Sequence, residues 1–207
     1  TAYSPYDDPG SDRAWTETVA STWYQASGET LVNSALRVRG AGYASFDHDA
    51  KLFDSPDGTF TLSGWLKPPT NPRDCGTNFQ TVFARASSNS VNPDIAVVYW
   101  PRSGSLSLVF TAADGSLVFT QESALSGKIP ADRWTHVAVV YDGGSSALLY
   151  LDGVAVAQSP SFKGPMAANA HAFYVGGTPF PISPGSSAAQ AAYFNGDLDR
   201  SEEHTSE

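Results

Sequence analysis

The clearest pattern of apolar and turn residues lies between residues 134 and 157, where the chain reads WTHVAVVYDGGSSALLYLDGVAVA. Two clusters of turn residues divide this stretch into three apolar runs, which predicts three consecutive antiparallel strands. The second turn, Asp152-Gly153, is a strong hairpin signal because Asp and Gly tolerate the positive φ that two-residue turns require. The predicted strands are residues 134–141, 147–151 and 154–157.

The first of these strands is largely apolar on both faces. One face carries Thr135, Val137, Val139 and Tyr141, and the other carries Trp134, His136, Ala138 and Val140. A strand of this kind is expected in the middle of a sheet that is covered on both sides. We therefore expect His136 to be a packed, hydrogen-bonded core residue rather than a catalytic base.

Similar runs recur along the chain. Residues 59–66 alternate with Trp65 on the polar face, and residues 95–100 and 105–111 flank a Pro-Arg-Ser-Gly turn. Residues 15–31 show no clear period and are interpreted as a loop with one short strand at 22–25, and 191–199 is the last predicted strand. About a dozen strands without an amphipathic helix predict an all-β protein, a two-sheet antiparallel β-sandwich of jelly-roll type. We expect residues 1–199 to form this single domain.

Composition narrows the classes of partner. The chain has 207 residues, 41% of them hydrophobic, and carries 12 basic and 21 acidic residues for a formal net charge of −9. An acidic chain without a basic stripe argues against nucleic acid and anionic membranes as partners. No apolar run approaches the ~20 residues of a membrane span, so membrane insertion is not expected. Without a recognisable signal peptide, the start at Thr1 indicates a mature or excised domain.

Several segments together resemble the laminin G-like, concanavalin A-like jelly-roll family, particularly its bacterial LamG-like members. They are AYSPYD at 2–7, FTLSGWLKP at 60–68, WTHVAVVYDG at 134–143, LYLDGVAV at 149–156 and FNGDLD at 194–199. The resemblance implies a two-sheet sandwich with one concave face and a rim of loops. It does not fix a function, because this fold serves lectins, adhesion modules, glycosidases and lyases alike.

The resemblance also implies a calcium site near the paired chain ends, with Ca²⁺ as a structural or bridging ion. By position, its ligands would be Asp7 and Asp199, with Asp8 and Asp12 as additions. These three N-terminal aspartates lie beside Pro9-Gly10, and carboxylates in a tight turn suit a hard cation that takes six to eight oxygen ligands. A solvated acidic turn explains the same residues equally well, and Pro9 departs from the family pattern.

The last eight residues depart from the family more sharply. Residues 200–207 read RSEEHTSE, are polar throughout, and match the in-frame translation of a common sequencing-library adapter. We interpret them as a non-native or disordered tail, introduced by an assembly artefact in environmental DNA, in place of a natural final strand. A natural acidic tail is the alternative. A missing last strand would leave the edge of the first strand unpaired.

Candidate catalytic residues are few. A glycosidase needs two carboxylates across the sugar, but the Glu-x-Asp-x-x-Glu motif of laminarinase-type relatives is absent, and Glu17, Glu29 and Glu122 each lack an acidic neighbour at that spacing. Asp47 and Asp49 would share one face of a strand, although turn chemistry explains them as well. Cys75 is alone and is interpreted as a loop residue. We assign no catalytic residue.

The case for ligand binding depends on aromatic and polar side chains. Sugars stack on aromatic rings while polar groups bind their hydroxyls. The predicted ligand-binding residues are Trp100, Tyr99 and Arg102 at a hairpin tip, Trp65 on its strand, and Asn92 and Asp94 in a loop expected to be adjacent.

The leading hypothesis is a non-catalytic, lectin-like carbohydrate-binding module, monomeric and belonging to a larger secreted or surface bacterial protein. Its partner would be a glycan or polysaccharide. The alternatives are a polysaccharide-active glycosidase or lyase of the same fold, and a protein–protein adhesion or spacer module.

Overall fold

The protein is described by a computed structural model over residues 15–19, 36–39, 42–46, 59–70, 78–119, 128–143, 146–159, 171–183 and 191–204. Within these residues all regular secondary structure is β-strand. The strands are β1 (Trp15–Val19), β2 (Leu36–Arg39), β3 (Gly42–Phe46), β4 (Thr59–Lys67), β5 (Gln80–Arg85), β6 (Ile95–Trp100), β7 (Ser105–Thr111), β8 (Leu117–Phe119), β9 (Thr135–Asp142), β10 (Ala147–Leu151), β11 (Val154–Gln158), β12 (Phe173–Val175) and β13 (Asn195–His204).

These strands form two sheets. In the described part of the chain, seven strands pair in the order β1-β3-β12-β5-β6-β7-β8, and six pair in the order β11-β10-β9-β4-β13-β2. Every pair of named strands is antiparallel. The predicted fold class, a two-sheet antiparallel β-sandwich, is therefore confirmed.

The turn between β10 and β11 forms as the sequence predicts. Asp152 has φ of 47° and Gly153 has φ of 80°. Positive φ at both central residues is typical of a type I′ turn, whose twist matches that of the flanking strands. The predicted hairpin of β6 and β7 is likewise confirmed, with Trp100 paired to Ser105 at its end.

The main core lies between the two sheets. Because side chains alternate along a strand, each sheet contributes every second residue to this layer. The six-stranded sheet supplies Leu62, Leu66, Val137, Val139 and Leu149, and the seven-stranded sheet supplies Phe83, Val97, Tyr99, Leu108 and Phe110.

A second apolar cluster lies on the outer face of the seven-stranded sheet. Residues 178–183, here called the cover segment, place Phe180 and Ile182 against small residues of β5 and β6. The backbone N–H of Ser183 donates to the carbonyl of Val91 at 2.7 Å, which fixes the segment to the β5–β6 loop. The strand and loop residues of this cluster are Phe79, Ala84, Ala86, Ala96, Val98 and Ala192.

The expectation that β9 is covered on both sides is wrong. The alternate residues that face inward, from Thr135 to Tyr141, are buried. His136, Ala138 and Val140 on the outer face are only half-buried. Small apolar residues on a sheet face lose much of their exposed surface to cross-strand neighbours, so they need no covering layer.

Two predictions near the chain ends are also corrected. Trp15–Val19, interpreted as loop, forms β1 and pairs with β3, consistent with its β-branched Thr and Val residues. The last strand continues past Asp199 to His204 and pairs with β4 on both sides of a register shift. Since ladder hydrogen bonds join backbone groups, a polar sequence can form them. The family-like segment at 2–7 and the predicted strand at 22–25 lie outside the described residues.

Candidate functional site

Three tyrosine rings cluster on the outer face of the seven-stranded sheet, beside the cover segment. The ring centroids of Tyr43 and Tyr174 are 5.6 Å apart in an edge-to-face arrangement, and Tyr43 stacks on Tyr193 at 6.4 Å. Phe180 packs edge-on against Tyr174 at 5.4 Å. Tyr43 is buried, whereas Tyr174, Tyr193 and Phe180 are half-buried. We call these four residues the tyrosine cluster.

The strands position the cluster through alternation. Ala44 on β3 and Phe173 and Val175 on β12 belong to the main core, so Tyr43 and Tyr174, one position along, point to the outer face. Tyr193 is held by bridges to Thr81 and Gly177. A Cβ added at Gly177 would collide with the Tyr193 ring. The ring therefore lies directly on the glycine backbone, which fixes its position.

The Tyr193 hydroxyl remains neutral over the physiological pH range. Burial raises the pKa of the Tyr193 phenol above its ordinary value, and the nearby Tyr43 phenol raises it further. A neutral phenol both donates and accepts a hydrogen bond. The cluster thus combines exposed ring surface with hydroxyl groups that can bind other hydroxyls.

The predicted group at the β6–β7 hairpin divides between two faces. Trp100 is half-buried, packs on Phe79 with ring centroids 5.8 Å apart, and donates its Nε1–H to Ser107 Oγ at 2.9 Å. Arg102 is exposed at the turn. Tyr99 points inward, is 2% exposed, and packs edge-on against Phe194. The assignment of Tyr99 to a surface platform is therefore corrected, because strand alternation directs it into the core.

The predicted loop residues do not lie near this hairpin. Asp94 precedes β6 and Trp100 ends it, so they are separated by the length of the strand, roughly 20 Å at about 3.4 Å per residue. Asn92 is exposed, and its backbone N–H donates to Ser90 Oγ. The sequence placed both loops in one site, whereas the structure places them at opposite ends of the sandwich.

Asp94 belongs to a largely buried network that joins an ion pair with Arg85 and a hydrogen bond with His171. Its Oδ2 lies 3.2 Å from Arg85 Nε and 2.9 Å from His171 Nδ1, and only 4% of the Asp94 side chain is exposed. His171 is thus oriented by a carboxylate. Because Arg85 and His171 occupy this oxygen inside the protein, Asp94 supports the rim structurally instead of facing a ligand.

Trp65 lies on the outer face of the six-stranded sheet, far from Trp100. It is 38% exposed, and its ring centroid is 5.1 Å from that of His136, its cross-strand partner on β9. His136 is therefore half-buried beside a tryptophan, and the expectation of a core position is wrong. His136 on β9 and Asp199 on β13 are the two cross-strand neighbours of Trp65.

The calcium prediction is largely beyond the described residues. Asp7, Asp8 and Asp12 lie outside them, as do Asp47, Asp49 and Cys75. Asp199 is half-buried. Within the described ranges no group of three His, Cys, Asp or Glu side chains could hold a metal ion. A calcium site at Asp199 would therefore need ligands from elsewhere, for which the N-terminal aspartates have suitable oxygen chemistry.

The tyrosine cluster was missed by sequence reasoning. A signal was present, because Tyr174 sits between two core residues in the short run Phe-Tyr-Val, and alternation predicts that it faces outward. The contact of Tyr43 with Tyr193 had no local signal, since it joins residues 150 positions apart. In the described part of the chain no helix is long and apolar enough to cross a membrane.

Comparison with solved structures shows the fold. Domain 4 of AbnA, an extracellular arabinanase from Geobacillus stearothermophilus solved in complex with arabinotriose, matches with 18% identity and a TM-score of 0.51, over 93% of this chain and 75% of that one. A mutant of HCR/D matches with 10% identity and a TM-score of 0.57, over 81% of this chain and 39% of that one.

A heptameric SAP-like pentraxin from Limulus polyphemus matches with 18% identity and a TM-score of 0.47, over 70% of this chain. This chain spans 63% of the length of that pentraxin chain. No curated protein sequence matches the chain. A family model described as "Concanavalin A-like lectin/glucanases superfamily" matches residues 39–202. The chain therefore belongs to the concanavalin A-like lectin/glucanases superfamily.

Proposed function

We propose that the protein is a non-catalytic, lectin-like carbohydrate-binding module that binds a glycan at the tyrosine cluster. The observation that supports this most directly is a set of half-buried rings: Tyr174 packs edge-on against Tyr43, Tyr193 stacks on Tyr43, and Phe180 packs edge-on against Tyr174. Such rings offer C–H stacking surface to a sugar, while phenol hydroxyls bind its hydroxyl groups.

Preorganisation supports the same proposal. Two of the rings lie on the paired strands β3 and β12, Tyr193 packs against the backbone of Gly177, and Phe180 lies on the cover segment. A site on rigid strands loses little side-chain entropy when a ligand binds, so weak stacking contacts are not offset by ordering. An acidic chain with a net charge of −9 disfavours anionic polysaccharides. The proposed ligand is therefore a neutral glycan.

The absence of catalysis is inferred from the sequence. The three glutamates outside residues 200–207 lack the paired spacing that laminarinase-type catalysis uses. We further propose that the module is monomeric and works outside the cell, within a larger secreted or surface bacterial protein. Size-exclusion chromatography with light scattering would test the monomer, and a mass of two chains would contradict it.

A polysaccharide panel tests the binding proposal. Linear arabinan, xylan and mixed-linkage β-glucan should bind better than alginate, measured by biosensor and scored in parallel for released sugar. Tyr193→Ala should weaken binding of the best polymer about tenfold, the loss expected for one central aromatic contact. Val91→Ala is the matched control, since Val91 is an exposed apolar residue on the rim loop.

Each outcome of the panel has a distinct meaning. Binding lost in Tyr193→Ala and kept in Val91→Ala supports the module at this site. Sugar release by the wild type would replace the proposal with the glycosidase or lyase alternative. A panel without any binding would overturn carbohydrate binding and favour the adhesion or spacer alternative.

Calcium is a separate proposal, carried by Asp199 with Asp7, Asp8 and Asp12. If the ion binds the native state, millimolar Ca²⁺ should raise the melting temperature by mass action. The rise should be lost in Asp7→Ala, and Mg²⁺ at the same concentration is the control for ionic strength. An unchanged melting temperature in Ca²⁺ would contradict the site.

A further inference from the structure

Two tryptophans are exposed on the opposite side of the sandwich from the tyrosine cluster. Trp65 on β4 is 38% exposed, and Trp134, which immediately precedes β9, is 36% exposed. Strand alternation places Trp134 on the same side as His136, the cross-strand partner of Trp65. Continuing the β4–β9 register by one residue makes the two tryptophans diagonal neighbours, for which the typical Cα–Cα distance is roughly 7–8 Å. We call Trp65, Trp134 and His136 the tryptophan face.

The position of this face is fixed by hydrogen bonds at the end of the β10–β11 hairpin. The His136 backbone N–H donates to Asp152 Oδ1 at 2.9 Å, and the Asp152 N–H donates to the His136 carbonyl at 2.8 Å. His136 in turn contacts the Trp65 ring at 5.1 Å. The Trp65 ring therefore rests on a neighbour that is tied at both backbone groups.

Two ion pairs border the tryptophans. Lys67 Nζ lies 3.0 Å from Asp132 Oδ1, and Arg133 Nη2 lies 3.3 Å from Asp152 Oδ2. Asp132 and Arg133 are exposed, with 67% and 65% of their side chains accessible. Solvent-exposed pairs of this kind contribute little to stability. The hydrogen-bonding groups of Asp132 and Arg133 can therefore turn to ligand hydroxyls at small cost, while Asp152 stays bonded to His136.

We infer that the tryptophan face is a second glycan-binding site, so that one module holds two polysaccharide chains, one on each side of the sandwich. The inference rests on the proposed function for its first site. Exposed indole rings with a border of charged hydrogen-bonding groups have the apolar and polar contacts that a sugar requires. The two sheets are about 10 Å apart and lie between the sites. One sugar unit cannot contact both sites at once.

A capture experiment tests for two sites. The panel polysaccharide that binds best is immobilised on a biosensor, monomeric protein is loaded, and the same polymer labelled with fluorescein is added after washing. Wild type should capture the labelled polymer. Trp65→Ala should still bind the surface but capture at least about tenfold less. Trp65→Phe, which keeps an aromatic ring, should restore part of the capture, and Val91→Ala should behave as wild type.

The outcomes separate this inference from the proposed function. Surface binding without capture by wild type, or equal capture by wild type and Trp65→Ala, would overturn the second site and leave the tyrosine cluster intact. Loss of all surface binding in Trp65→Ala, with Tyr193→Ala unaffected, would show a single site and overturn both assignments. A melting temperature of Trp65→Ala close to wild type excludes unfolding as the cause, and Trp65→Phe provides the readout if that variant is unstable. Failure of wild type to bind any polymer would overturn both proposals.

Discussion

The outer faces of the two sheets differ in how far their side chains are buried. On the seven-stranded sheet, Phe180 and Ile182 of the cover segment bury small residues such as Ala84 and Ala96 in a second apolar cluster. On the six-stranded sheet, the corresponding positions include Ser63 and Trp65, which remain half-buried or exposed. One face is a second core with aromatic rings at its margin, and the other is half-buried to exposed at the positions that the structure describes.

The difference shows what an exposed aromatic residue means in this fold. The sequence predicts both Trp100 and Trp65 as ligand-binding residues. Trp100, however, lies at the edge of the second cluster, and its indole N–H already donates to Ser107. Trp65 is 38% exposed on the outer face of its sheet, so part of its ring surface stays available. Whether a tryptophan contributes to stability or to binding therefore depends on the segment that packs across its face.

The largest expected effect comes from removing the covering side chain. Ile182 is fully buried, so Ile182→Ala should lower the free energy of unfolding by about 2–5 kcal/mol through lost burial and a cavity. Val154→Ala on the open side is the matched control, because Val154 is 64% exposed and should change stability by about 0.5 kcal/mol or less. Urea unfolding of both variants measures the difference. Equal effects would show that the second cluster is not a core.

The next effect tests how tightly the covered side is packed. A methyl group at Gly177 meets the Tyr193 ring, so Gly177→Ala should cost about 1–3 kcal/mol of unfolding free energy through overpacking. In a Tyr193→Ala background the same substitution should cost clearly less, because the ring that it displaces is absent. A double-mutant cycle measures this coupling. Additive effects of the two substitutions would contradict the contact.

The sequence predicted the elements whose signals are local. Alternation in 59–66 and the Asp152-Gly153 turn identified β4 and the β10–β11 hairpin, because period and positive φ are properties of neighbouring residues. The open position of Trp65 also followed from its alternation. The inward face of Tyr99 follows from the same alternation, because Tyr99 and the half-buried Trp100 are adjacent on β6.

The remaining features depend on contacts between distant segments. His171 and Asp94 are 77 positions apart, and their hydrogen bond has no local signal in the sequence. The cover segment reads Thr-Pro-Phe-Pro-Ile-Ser, which looks like a loop, and only the tertiary structure places it over β5 and β6. The extension of β13 to His204 likewise depends on pairing with β4, since backbone hydrogen bonds carry no side-chain pattern.

The smallest expected effect concerns alkaline pH and distinguishes the tyrosine side from the tryptophan side. Burial raises the pKa of Tyr193 in the folded state, whereas an unfolded tyrosine ionises near pH 10. Above about pH 10 the unfolded state therefore binds fewer protons than the folded state, and stability falls as pH rises further.

Tyr193→Phe removes this contribution and should flatten the decline in stability between about pH 10 and pH 11, measured as the urea midpoint. Trp65→Phe carries no such group and should keep the wild-type slope. Parallel slopes for wild type and Tyr193→Phe would mean that the phenol titrates alike in both states, and that the tyrosine cluster is as open to water as the tryptophan face.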